Sequence, residues 1–236
     1  MNAAISPALA ALPTDLVWKA GSLAAPAERG WPTGFAALDA ELPGGGWPRG
    51  AIIELLGARP GIGELALLMP LLCRAPAQRW IAWVSPPWLP YAPALAAGGL
   101  VLSQQLLIDA GDRARMLWAT RQAVASGACH AVLAWTERID GAALRRLQLA
   151  AEQSKTPLFL FRPASAARQP SPASLRLQLM PADDCLGILI LKRRGPAAAA
   201  VLHLPIRRAH ASGYRHVVDS TDPARSAAAG VHAGQR

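Results

Sequence analysis

Short, nearly all-apolar runs alternate along this chain with segments of helical period, and that alternation limits the fold more than any other feature. The runs Ile52 to Leu56, Trp80 to Val84, Gln105 to Ile108, Ala131 to Trp135 and Leu158 to Phe161 are bounded by turn residues and suit strands buried on both faces. Helices fit between them at Glu64 to Arg74, Tyr91 to Ala97, Arg113 to Ser126 and Gly141 to Gln153. The pattern predicts an α/β fold, a mostly parallel β-sheet flanked by helices. After Arg162 the helices stop. Leu175 to Met180, Leu186 to Leu191 and Ala200 to Leu204 then read as extra C-terminal strands that extend the sheet, antiparallel in part.

The chain has 236 residues, 52% of them hydrophobic and 17% charged, enough for one sizeable α/β domain with tails. Residues 1–30 are Ala/Pro-rich and read as an N-terminal arm with one short helix around Asp15 to Ala20. Residues 31–206 form the core domain, and 207–236 read as a basic, disordered tail because they hold few large apolar side chains. No apolar run reaches the ~20 residues of a membrane span, and the N-terminus lacks a signal-like pattern, so a cytoplasmic protein without membrane contact is expected. Cys73, Cys129 and Cys185 sit in apolar contexts as expected buried thiols. His203, His210, His216 and His232 lack ligand-like spacing, so no metal site is expected.

Gly57-Ala58-Arg59-Pro60-Gly61-Ile62-Gly63-Glu64 has the length and setting of a phosphate-cradling loop. Gly63 and Glu64 stand where that chemistry requires Lys and Ser or Thr. A carboxylate opening the next helix suits the helix dipole and repels a triphosphate. The degenerate loop (Gly57, Gly61, Gly63, Glu64) is therefore expected to bind no cofactor, and no catalytic residue is assigned. An ordinary Gly-rich strand-to-helix turn is the plainer alternative.

Around this loop, Thr33-Gly34-Phe35, Leu38-Asp39, Leu42-Pro43-Gly44-Gly45-Gly46 and Pro48-Arg49-Gly50-Ala51-Ile52-Ile53-Glu54-Leu55 together resemble the lead-in to a RecA-like ATPase core. Leu106-Leu107-Ile108, Ser126-Gly127 and Ile188 to Arg194 continue the resemblance, which implies a RecA-like fold over residues 32 to 206. The polar groups of such an ATPase are missing: Val84-Ser85-Pro86-Pro87 lacks the catalytic glutamate, Val132-Leu133-Ala134-Trp135 the magnesium-side aspartate, and Phe161-Arg162-Pro163 the sensing glutamine. What remains is a pseudo-ATPase, not an enzyme.

Within that class, Leu42 to Gly50, Arg59 to Glu64, Trp83-Val84 with Pro86-Pro87, Pro90 to Leu95 and Leu144 to Ala150 resemble the ImuA family of damage-induced mutagenesis. The resemblance implies a non-catalytic accessory factor in SOS-induced translesion DNA synthesis. Its partners would be the Y-family homologue ImuB, an error-prone C-family DNA polymerase and RecA. Two alternatives stay open: a SulA-type cell-division inhibitor that binds the tubulin-like protein FtsZ, and a nucleotide-binding switch without hydrolysis.

Contact candidates follow from charge and aromatic placement. Of the formal net charge of +9, most lies in residues 192 to 236, where Lys192, Arg193, Arg194, Arg207 and Arg208 are candidates for partner or DNA contact. Trp47, with Trp31, flanks the Gly-rich lead-in and is a candidate protein anchor. Trp83, Trp88 and Trp135 lie near strand ends and either fill the crevice there or pack in the core. The insertion Pro163 to Ala173 is a weak candidate for DNA contact, having few charges and no aromatic. Arg145 and Arg146 lie on the polar side of an amphipathic helix and become a partner site only beside exposed apolar surface.

Overall fold

The computed structural model describes residues 28–182, 185–195 and 200–206. The expected arm helix, the tail, Arg207 and Arg208 lie outside these residues. Eight strands form one sheet: β1 Ile52–Gly57, β2 Trp80–Val84, β3 Gln105–Ile108, β4 Cys129–Trp135, β5 Leu158–Pro163, β6 Leu175–Pro181, β7 Leu186–Lys192 and β8 Val201–Leu204. Their order is β3-β2-β4-β5-β1-β6-β7-β8. The helices among the described residues are α1 Ala36–Glu41, α2 Glu64–Leu72, α3 Ala92–Ala97, α4 Arg113–Ala125 and α5 Gly141–Ser154.

Pairing is parallel from β3 to β6 and antiparallel between β6, β7 and β8. The change of direction follows from chain economy: parallel neighbours need a long crossover, whereas strands joined by short links turn back on themselves. The molecule is thus an eight-stranded mixed sheet with few helices, two of them only six residues long. This corrects the RecA-like fold with a phosphate loop. Between β5 and β6 there is only a short 3₁₀ turn, Ala164–Arg168.

Strand alternation divides the apolar side chains between two cores. Ile53, Leu55, Trp83, Leu133 and Phe159 join Leu67, Leu68 and Leu71 of α2 on one face. Ile52, Val84, Val132, Leu158 and Leu160 meet Met116 and Val124 of α4 and Leu144 and Leu147 of α5 on the other. Each fully buried side chain of this size contributes about 1.5–3 kcal/mol of transfer free energy. α4 and α5 begin where Asp112 and Asp140 accept backbone N–H groups from Arg115 and Ala143, at 2.8 and 2.7 Å. Among the described residues the edge strand β3 pairs only with β2.

Candidate functional site

The carboxyl ends of β1, β2, β4 and β5 enclose a cavity of about 390 Å³, where open α/β sheets usually receive ligands. Its rim is the β1–α2 loop, with Gly61 and Gly63 at φ of 81° and 113°, a left-handed region that glycine enters without strain. Glu64, 7% exposed, folds its carboxylate back onto this loop. Oε1 accepts the N–H of Gly61 at 2.6 Å and Oε2 that of Ile62 at 2.8 Å. The amides that a phosphate would need are therefore occupied by the chain's own anion, at the positive end of α2. Gly57, Gly61, Gly63 and Glu64 form a self-satisfied turn.

Aromatic rings close the crevice from the side. Trp135 stacks on Phe161 with centroids 4.3 Å apart and lies parallel to Trp83 at 6.1 Å. The Trp83 indole N–H donates to Gln105 Oε1 at 2.9 Å. Trp88 does not join them; it is 68% exposed. No group of three or more His, Cys, Asp or Glu side chains could hold a metal ion among the described residues.

Beneath the crevice lies an ionic cluster that sequence reasoning missed. Glu54 on β1 is fully buried, and its Oε1 accepts from Arg162 Nη1 at 2.8 Å while its Oε2 accepts from Arg176 Nε at 2.5 Å. Ser171 Oγ also donates to Glu54 at 3.0 Å, Arg162 Nη2 to Gln169 at 2.7 Å and Arg176 Nη2 to the Ala166 carbonyl at 2.7 Å. The Pro163 to Ala173 insertion is thereby pinned to the sheet and its adjoining Arg162 turned inward, a correction to its candidacy for DNA contact. The available signal was a lone carboxylate inside the apolar run Ile52 to Leu56, since a buried charge demands a partner.

The other predicted contact residues are scattered. Trp47 is fully buried, edge-on to Phe159 with centroids 5.3 Å apart, so it is a core residue and not an exposed anchor. Its backbone bridges Trp31, which receives the Arg49 guanidinium over its ring at 4.1 Å. Arg193 donates to the backbone carbonyl and carboxylate of Glu41, which ties the end of β7 to α1. Lys192 donates to the Ser171 carbonyl at 2.8 Å, and Arg194 is exposed. These cations fasten the C-terminal strands more than they form one patch.

The thiols also divide: Cys129 is buried, Cys185 half-buried and Cys73 exposed, which corrects the uniform burial expected of them. His130 is buried, with Nε2 3.1 Å from the Leu71 carbonyl. Burial pushes its pKa below the ordinary histidine value; the Leu71 hydrogen bond opposes this and Arg79 adds to it.

One exposed apolar surface lies along β3. Leu106 and Leu107 are consecutive and point to opposite faces of the sheet, yet they are 40% and 44% exposed. Trp80, Trp88, Leu89 and Tyr91 are likewise exposed. A short edge strand bare on both faces has room for a protein partner.

The segment that matches known proteins includes β3. Residues 50–157 match the family model described as cell division inhibitor SulA. A cell division inhibitor SulA from Photorhabdus laumondii subsp. laumondii is 30% identical over 115 residues, 48% of this chain. The match spans 65% of that relative's length. The crystal structure of SulA from Pseudomonas aeruginosa is 28% identical, with a TM-score of 0.40, and covers 47% of this chain and 97% of its own.

The family-model match and the Photorhabdus relative overturn the ImuA resemblance and, with it, translesion synthesis and the partners ImuB, C-family polymerase, RecA and DNA. Nothing in them supports a degenerate ATPase. Four of the five fragments that carried the ImuA resemblance lie inside the matched segment, Leu42 to Gly50 being the exception, so those runs do not separate the two families. Gly- and Pro-rich turns report the backbone geometry that a strand-to-helix connection needs, which unrelated functions share. No helix among the described residues is long and apolar enough to cross a membrane.

Proposed function

We propose that this chain is a non-catalytic inhibitor of cell division of the SulA type, made in the SOS response and acting in the cytoplasm by binding FtsZ. The observation that carries the reading is the bare apolar edge at β3, which falls inside the segment similar to the inhibitor family. Binding rather than chemistry suits the crevice, whose loop amides are already taken by Glu64. In this reading 31–206 is the binding domain, with 1–30 as an arm and 207–236 as a basic tail. Lys192 and Arg194 are assigned a peripheral role at most, because β7 and β3 stand toward opposite sides of the sheet.

The test is reconstitution with purified FtsZ. Wild-type protein at equimolar ratio is expected to suppress FtsZ polymerisation in a sedimentation assay and its GTP hydrolysis. The double variant Leu106→Asp, Leu107→Lys should fold normally and lose that effect, weakening binding on the order of tenfold or more as anchor residues do. Folded wild-type protein that leaves both FtsZ activities untouched would sink the reading.

A further inference from the structure

α4 and α5 lie on one face of the sheet, both packed into the core that holds Ile52, Val84 and Leu160. α4 meets that core through Met116, Ala119, Ala123 and Val124, and α5 through Leu144, Leu147 and Ala151. Neither helix needs another large apolar residue. Each nevertheless carries one on its outer side: Trp118, 64% exposed, and Leu149, 57% exposed.

Arginines frame both. Arg115 and Arg121 stand one turn before and one turn after Trp118, and Arg145 and Arg146 stand one turn before Leu149, spacings that place side chains on neighbouring parts of a helix surface. The two helices pack against each other, which sets these side chains on one side of the sheet. The Asp140 carboxyl is held below the usual carboxylate range first by the Ala143 N–H, and also by Arg146 of α5 and Arg113 of α4.

The local acids do not neutralise this face. Asp112 and Asp140 cap the two helices, and Asp112 also pairs with Arg115 at 3.3 Å. Glu152 accepts from Gln148 at 2.8 Å. An indole and a leucine flanked by Arg121, Arg145 and Arg146, which form no salt bridge among the described residues, have the composition of a binding hot spot, and carboxylates match the guanidinium fork bidentately. A nucleic acid fits less well, because Leu149 offers neither charge to a phosphate nor a ring to a base.

We propose that the outer face of α4 and α5 is a docking surface for an acidic segment of a partner protein that also carries apolar side chains, separate from the β3 edge. Trp118 and Leu149 contact the apolar positions, while Arg121, Arg145 and Arg146 pair with the carboxylates. The inference does not depend on FtsZ being the partner at β3.

The probe is a short fluorescein-labelled peptide with glutamate and leucine at helical spacing, titrated with the full chain and followed by anisotropy. Saturable binding is expected, weakened on the order of tenfold between low and high salt as exposed charge pairs are screened. Trp118→Ala alone, and Arg121→Glu with Arg145→Glu, should each weaken it on the order of tenfold or more. Their thermal unfolding should match the wild type, and Leu106→Asp with Leu107→Lys should bind the peptide normally. The proposal is overturned if the wild type does not bind the peptide or if the helix-face variants bind it undiminished. It is also overturned if a labelled oligonucleotide binds more tightly and is lost with the same substitutions, or if a glutamate peptide without leucine binds equally well.

Discussion

The crevice at the strand ends and the bare edge at β3 are built from the same sheet yet lead to opposite expectations. At and beneath the crevice the two buried carboxylates have internal partners: Glu64 holds two loop amides, and Glu54 sits between Arg162 and Arg176. At β3 a strand that is Leu-rich and short leaves both of its faces exposed. A region that satisfies itself serves stability, and a region left unsatisfied by its own fold is available to a partner. The functional reading follows this asymmetry, and stability measurements can break it.

The largest effect is expected at Glu54. Glu54→Ala leaves two buried guanidinium groups without their counter-ion and should cost about 3–5 kcal/mol in urea unfolding. A loss below about 1 kcal/mol would mean that the cluster is not the clamp between β1, β5 and β6. Glu64→Ala is expected to cost about 1–2 kcal/mol, by freeing the Gly61 and Ile62 amides at the start of α2. An unchanged unfolding midpoint would show that water replaces the carboxylate at no cost, and the crevice would then be less closed than the geometry implies.

His130 gives a smaller, pH-dependent contrast. Because burial lowers its pKa in the folded state, the unfolded chain takes up the proton first. Its stability contribution is whole above the ordinary value of 6.5 and declines as pH falls through it, continuing until the folded state also protonates. Denaturant midpoints measured from pH 8 to 5 should fall, and His130→Gln should flatten the part of the slope that His130 supplies. At the β3 edge the effect on stability should be smallest of all. Leu106→Asp should move the unfolding free energy by no more than about 0.5 kcal/mol, while impairing FtsZ inhibition. A large destabilisation there would place Leu106 in the core and remove the distinction between the two regions.

Much of the local structure was legible in the residues. The apolar runs mark β1, β2, β3 and β5 nearly to the residue, because a buried strand must be short and continuous in its apolar side chains. Asp112 and Asp140 stand at the helix starts they cap. What an apolar run does not reveal is its place in the sheet. Leu106-Leu107-Ile108 reads like a central strand but forms an edge, so the same composition that buries β1 leaves β3 exposed. Trp47 shows the reverse error: beside glycines and prolines it resembles a surface turn, and the fold places it against Phe159 at zero exposure.

The candidate site was less legible still. Glu64 was recognisable as the wrong residue for a phosphate loop, but its grip on two amides depends on Gly61 and Gly63 adopting left-handed backbone angles. Glu54, Arg162 and Arg176 are separated by more than a hundred positions from first to last, and no local spacing joins them. The amino-acid sequence by itself determined where strands and helices form, because that depends on side-chain type and near-neighbour period. The tertiary structure alone decided which apolar residues meet water and which charges meet each other. Strand order, set by crossovers and long-range pairing, controls both.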